Sequence, residues 1–261
     1  MSSNFRWLEV DLIYFIEQSN WVSQLDEASP MVGGKVRRSL ILLAVFGVSM
    51  ALLEAAVVVY LRLLYYAENP VVIFPLKFMN HYEVAVELSR EAATIIMILT
   101  VAMLAETGTR TRVFAAFVFV FGVWDIFYYF WLKVFLDWPV SWLEWDVLFL
   151  IPTVWLGPWL CPVMISLLFI VWGARALLFR REECLTRKGV LTFVLGSTLA
   201  LLAFLQPAWK VLANGGMEAL SQYTPESFWW GLFLPGLFLM VSGLWKTSVI
   251  GGNLSAKELP G

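Results

Sequence analysis

Charge is scarce in this sequence. Asp, Glu, Lys and Arg make up 15% of the 261 residues, whereas hydrophobic residues make up 60%. A soluble domain carries about 25% charged residues, because its surface has to remain hydrated. The composition therefore excludes an ordinary soluble domain. The net charge of −2 offers no basic surface, which argues against nucleic acid as a partner.

Histidine and cysteine are also rare. The single histidine, His81, excludes haem held by two histidines of this chain. The two cysteines, Cys161 and Cys184, are too few for a disulfide framework, and no cluster of zinc ligands is visible. No G-x-S-x-G hydrolase motif and no Gly-rich phosphate loop occurs. We therefore expect no cofactor, and a hard cation held by carboxylates is the kind of metal that the composition allows.

Apolar residues, in contrast, are abundant and come in long blocks. Crossing roughly 30 Å of hydrocarbon takes about 20 helical residues at 1.5 Å each. The blocks predict an all-α membrane bundle, with both termini in the cytoplasm. Its six spans are expected at 39–62, 84–105, 113–136, 145–178, 189–209 and 228–246.

The fourth block is interrupted by Pro152, Pro158 and Pro162, and proline kinks or ends a helix. We interpret 145–156 as a half-helix or re-entrant piece that precedes the crossing helix. A single long and kinked helix over 145–178 is the alternative.

The orientation follows from Lys and Arg, which concentrate in the N-terminal segment, after the second and fourth spans, and in the tail. Cytoplasmic segments of membrane proteins carry this excess. The chain then divides into a cytoplasmic amphipathic helix and linker (1–34), a transmembrane domain (35–250) and a short cytoplasmic tail (251–261).

Acidic residues inside the predicted spans are the main functional signal. A charge at the centre of a membrane helix costs about 2.5–3.5 kcal/mol on insertion scales and marks function by default. Glu54, Glu91 and Asp125 lie in three consecutive spans, roughly 10–15 Å below the outer surface. We predict that they line one cavity open to the outer side. The predicted intramembrane polar site comprises Glu54, Glu87, Arg90, Glu91, Asp125, Tyr128, Tyr129 and Asp146.

The neighbouring residues support a shared site. Helical spacing places Glu83 in one polar stripe with Glu87, Arg90, Glu91 and Thr94. Small residues spaced by four in the first span permit close approach of that helix to its neighbours. They are Gly47, Ala51 and Ala55.

Basic and aromatic residues complete the interpretation. Counter-charge is expected from Arg62, Arg90 and Lys133, and Trp138 is expected to anchor at the membrane interface. If the site holds a metal, its ligands would be Glu54, Glu91, Asp125 and His81. In the alternative interpretation, the acids only pair with bases or tyrosines and lock helices together.

Four segments resemble parts of uncharacterised bacterial inner-membrane proteins. They are EAAVVVYLRLLYY (54–66), REAATIIMIL (90–99), FGVWDIFYYFWLK (121–133) and WDVLFLIPTVWLGPWLCP (145–162). The resemblance covers about half of the chain and implies a multi-pass protein of the bacterial cytoplasmic (inner) membrane. It implies no activity.

Three functions fit these observations. The first is a channel or secondary transporter for a proton, a cation or a small cationic solute. The alternative is an accessory or assembly subunit of a larger membrane complex, and the third is a membrane enzyme acting on a lipid-linked substrate. The expected partners are the lipid bilayer and another membrane protein or a second copy of this chain.

Overall fold

The computed structural model describes residues 34–77, 79–106, 108–178, 183–225 and 227–249. The amphipathic helix predicted near the N-terminus and the predicted tail at 251–261 lie outside these ranges. The described helices are α1 (Gly34–Tyr65), α2 (His81–Ala105), α3 (Arg110–Leu136), α4 (Leu160–Leu178), α5 (Arg187–Ser221) and α6 (Trp230–Leu244). The strands are β1 (Trp145–Phe149), β2 (Trp155–Pro158), β3 (Glu183–Leu185) and β4 (Thr247–Val249).

Five of these helices, α1 to α5, are long and apolar enough to cross a membrane. The sixth, α6, is apolar but has only 15 residues, which corresponds to about 22 Å of helix. The prediction of a helical membrane protein is confirmed to this extent.

Side-chain caps fix the start of several helices. The Asn80 side chain accepts a hydrogen bond from the Glu83 backbone N–H at 3.0 Å, and the Glu83 carboxylate accepts one from the Asn80 backbone N–H. This reciprocal arrangement satisfies two backbone donors at the start of α2. Glu83 therefore caps the helix, and it does not join the wall of the cavity described below.

Residues 145–158 form an antiparallel β-hairpin instead of a helix. Trp145 pairs with Pro158, and Val147 pairs with Leu156. Pro152 lies in the turn between the strands and Pro158 ends β2, so neither residue kinks a helix. Both the predicted half-helix over 145–156 and the single kinked helix are thus wrong, and the fourth helix begins only at Leu160.

Small residues bring α1 and α3 together. A Cβ atom on Gly47 would lie only 3.0 Å from the Val123 side chain. The Trp131 indole N–H donates to the Val48 carbonyl oxygen at 3.3 Å. Ala55 is fully buried in a cluster on the same side of α1. The predicted approach of α1 to its neighbour through small residues is confirmed for Gly47 and Ala55.

Glycines also form the seams between α3 and α4 and between α5 and α6. A Cβ atom on Gly122 would lie 2.6 Å from the Ser166 carbonyl oxygen. On α5, a Cβ atom on Gly196 would lie 2.5 Å from the Gly236 carbonyl oxygen of α6. Because real Cβ atoms do not approach that closely, only glycine permits these backbone distances, as in other membrane helix pairs.

Candidate functional site

A cavity of about 540 Å³ lies between α1, α2, α3 and the hairpin. Residues of the loop after α1 and of the end of α5 complete its wall. A regular helix rises by a fixed distance per residue, so the acids of α1, α2 and α3 that lie equally far from the helix ends face the same part of the cavity. All eight residues of the predicted polar site line this cavity: Glu54, Glu87, Arg90, Glu91, Asp125, Tyr128, Tyr129 and Asp146.

Arg90 is the centre of the first charged group on the wall. Its guanidinium forms salt bridges with Glu54 of α1 and with Glu87 of α2, the latter at 2.8 Å. The Thr94 hydroxyl hydrogen-bonds Glu54 as well. Two carboxylates thus share one guanidinium, and this group ties α1 to α2.

Arg62 and Asp146 form the second charged group. Their side chains are 5% and 4% exposed, and the guanidinium Nη2 lies 3.3 Å from the Asp146 carboxylate. The guanidinium also stacks 4.0 Å above the Trp138 ring. Burial raises the pKa of Asp146 to about 6, while Arg62 acts in the opposite direction. This pair fixes the hairpin to α1.

Trp138 therefore has a different role from the predicted one. It is fully buried, so it does not anchor the chain at a membrane interface. Its indole ring supports the Arg62 guanidinium instead.

Glu91 and Asp125 differ from the other three carboxylates. Both oxygens of Glu91 accept from the backbone N–H of Leu150 at 3.0 Å. Asp125 accepts from the Ser166 hydroxyl of α4 at 2.7 Å. Among the described residues, no salt bridge joins either carboxylate to Lys or Arg. Two acids of the wall are therefore held by neutral donors only.

The cavity wall as a whole is apolar with an excess of acid. Its basic residues are Arg62, Arg90 and Lys77, and Lys77 is an exposed residue near the Tyr66 ring. These three face five carboxylates. Aliphatic and aromatic side chains form most of the remaining surface, among them Val58, Leu61, Leu88, Val147 and Phe149.

Lys133 lies elsewhere. Its ammonium pairs with Asp137 at 2.7 Å and donates to the carbonyl oxygens of Asp137 and Pro139. Lys133 is not part of the cavity wall, so its predicted role as a counter-charge for the site is wrong.

The predicted metal ligands do not form a metal site. His81 is an exposed residue at the start of α2 and is not part of the cavity wall. In the part of the chain that the structure describes, no three His, Cys, Asp or Glu residues are arranged to hold a metal ion. Glu54, Glu91 and Asp125 line the same cavity without being arranged to hold a metal ion, and His81 lies outside it.

Sequence reasoning missed two donors of the site. Ser166 is a lone small polar residue in an apolar helix, and the only available signal was its presence there. The backbone N–H of Leu150 carries no side-chain signal at all. It becomes a donor because the chain turns between β1 and β2, a conformation that was not predicted.

No family model, no curated protein and no solved structure matches this chain. The function has to be inferred from the chemistry of the cavity.

Proposed function

We propose that this chain binds a small organic cation in the cavity and moves it across a membrane. The observation that carries the proposal is the presence of two carboxylates, Glu91 and Asp125, on the wall of one cavity, neither of which forms a salt bridge with Lys or Arg among the described residues. Buried carboxylates without counter-charge cost several kcal/mol, and a bound cation would offset this cost.

The size and lining of the cavity favour an organic cation over a bare metal ion. A volume of about 540 Å³ falls within the range of about 300–1,000 Å³ typical of small-molecule sites. A bare cation needs several oxygen ligands in direct contact, and the described residues provide no such group. The apolar wall suits a hydrocarbon body, while the two carboxylates suit a protonated amine.

The paired acids have a structural role in this proposal. Glu54 and Glu87 share the guanidinium of Arg90, which balances one of their two charges, and Asp146 is paired with Arg62. These pairs hold α1, α2 and the hairpin around the cavity. The interpretation of the acids as helix locks therefore applies to these three residues, and the binding role is left to Glu91 and Asp125.

For the topology we propose six crossings, with α6 as the short sixth one, and both termini in the cytoplasm of a bacterial cell. The distribution of Lys and Arg supports this orientation in the inner membrane. Reporter fusions after residues 34, 108, 184 and 257 should all give a cytoplasmic signal. A periplasmic signal at any of the four would refute the topology.

Binding is tested with purified protein in lipid nanodiscs by calorimetry. The probes are protonated primary amines (butylammonium, benzylammonium and protonated tryptamine), compared with neutral benzyl alcohol and anionic benzoate. We expect the amines to bind and the other two probes not to bind. Uptake of the bound amine into proteoliposomes then tests transport.

Two variants connect the result to the site. Glu91→Gln and Asp125→Asn should each weaken amine binding at least tenfold, since each removes a carboxylate that can form a charge-assisted hydrogen bond with the ammonium. Glu68→Gln is the matched control, because Glu68 is exposed and is not part of the wall. Equal binding of benzyl alcohol, or unchanged affinity in both site variants, would refute the proposal. Absence of amine binding together with stoichiometric co-purification of another membrane protein would favour an accessory subunit.

A further inference from the structure

The hairpin is firmly anchored at its base. Asp146 of β1 pairs with Arg62, and Leu156 of β2 is fully buried against Ala208 and Leu220 of α5. The Trp159 backbone N–H donates to the Glu144 carbonyl oxygen at 3.0 Å and closes the base. The strands are thus fixed to α1 on one side and to α5 on the other.

The tip of the hairpin, residues 150–153, is held much less strongly. Ile151 and Pro152 at the tip are exposed. Among the described residues, the hydrogen bonds from the tip to the helices go to one acceptor, the Glu91 carboxylate of α2. The tip also forms part of the cavity wall, through Leu150, Pro152 and Thr153.

Glu91 therefore has two competing uses. The Leu150 N–H lies 3.0 Å from each carboxylate oxygen, in the position that a protonated amine would take to contact both oxygens. An ammonium adds the Coulomb attraction between two full charges to the hydrogen bond, and the neutral Leu150 amide does not supply that attraction. A cation that reaches Glu91 should displace the tip.

We propose that the tip, residues 150–153, is a gate on the cavity, that Glu91 holds it closed, and that a bound organic cation releases it. This regulation rests on the proposed function for its ligand. The latch itself rests only on the contact between Glu91 and Leu150. The strands keep their place during opening, because their contacts with α1 and α5 do not involve Glu91.

The latch is tested without ligand by amide hydrogen exchange in nanodiscs, resolved at Leu150, Ile151 and Thr153, the tip residues that carry a backbone N–H. Glu91→Leu removes the acceptor, so exchange at the tip should rise about tenfold, the effect of losing roughly 1.4 kcal/mol of hydrogen bonding to a charged group. Glu91→Gln keeps an oxygen acceptor without the charge and should give a smaller rise. Asp125→Asn is the matched control, since Asp125 lines the same cavity without a hydrogen bond to the tip.

Exchange in the strands monitors folding in every variant, because the amides of Val147 and Leu156 should remain protected. If Glu91→Leu does not fold, the latch is judged from the exchange rate at the tip of Glu91→Gln alone. The latch is overturned if the exchange rate at the tip is unchanged in the folded Glu91 variants. It is also overturned if that rate rises equally in Asp125→Asn.

The release is tested by adding benzylammonium to the unaltered chain at saturation, with benzyl alcohol as the control. We expect faster exchange at 150–153 with the amine only, although ligands usually slow exchange. Amine binding without faster exchange overturns the gate and leaves the proposed function standing. If calorimetry shows no amine binding, the proposed function fails, and the release fails with it, whatever the latch variants show.

Discussion

The helices around the cavity and the α5–α6 pair are held together by different kinds of contact. Around the cavity, five carboxylates and two arginines lie on the wall between α1, α2, α3 and the hairpin. Between α5 and α6, glycines such as Gly196 and Gly236 bring backbone against backbone. Replacing buried ion pairs with apolar groups is often neutral or stabilising. Stability alone therefore does not explain why one region keeps its charges, and this contrast points to the cavity as the functional part.

The largest expected effect comes from breaking the most buried ion pair. Arg62→Met leaves the Asp146 carboxylate buried and unpaired, which should cost about 3–5 kcal/mol of stability. Thermal unfolding in detergent measures the change. The double variant Arg62→Met with Asp146→Leu should recover most of the loss, because no unpaired charge remains. Equal instability of the single and double variants would contradict this interpretation of the pair.

The pH dependence of Arg62→Met sharpens this test. Burial already raises the pKa of Asp146 to about 6, above its ordinary value of 3.8, and loss of Arg62 removes an influence that lowers it. A carboxyl with a raised pKa in the folded state binds its proton more tightly there, so stability falls as pH rises through that pKa. The deficit of Arg62→Met relative to the unaltered chain should therefore be larger at pH 8 than at pH 5. Equal deficits at both pH values would count against an unpaired Asp146 carboxylate as the cause.

The next effect belongs to the α5–α6 seam. A Cβ atom on Gly243 would lie 2.5 Å from the backbone nitrogen of Phe193, so Gly243→Ala should cost about 1–3 kcal/mol through overpacking. Gly231→Ala is the matched change in the same helix, and a Cβ atom there meets no other atom within 4 Å. The unfolding temperature of Gly231→Ala should match or slightly exceed that of the unaltered chain. Similar losses in both variants would show that the close approach of α5 and α6 is not what Gly243 provides.

The common level of Glu54, Glu91 and Asp125 could be predicted from the sequence, because a helix advances by a fixed rise per residue. The hairpin could not be predicted in this way. Its residues are apolar on both faces, so they lack the alternation that marks a half-buried strand. Strand pairing also depends on the contacts of Leu156 and Gly157 with α5 and Phe228, which lie far away in the sequence.

The sequence also could not predict which of the acids form salt bridges and which do not. Arg62 and Asp146 are separated by 84 positions, and their contact depends on the fold of the hairpin. The sequence offered Arg62, Arg90 and Lys133 as equivalent partners. The structure assigns the first two to the cavity, and Lys133 to a local contact at the end of α3.

The smallest effect is expected at that local contact. The ion pair of Lys133 with Asp137 is shorter than that of Arg62 with Asp146, 2.7 Å against 3.3 Å. Distance alone would therefore rank Lys133→Ala as the more damaging change. However, the Lys133 and Asp137 side chains are 51% and 90% exposed, and exposed pairs contribute only about 0–1 kcal/mol. Lys133→Ala should thus shift the thermal unfolding temperature little, and amine binding should be unchanged because Lys133 does not line the cavity. A loss comparable with that of Arg62→Met would mean that burial does not distinguish the two pairs.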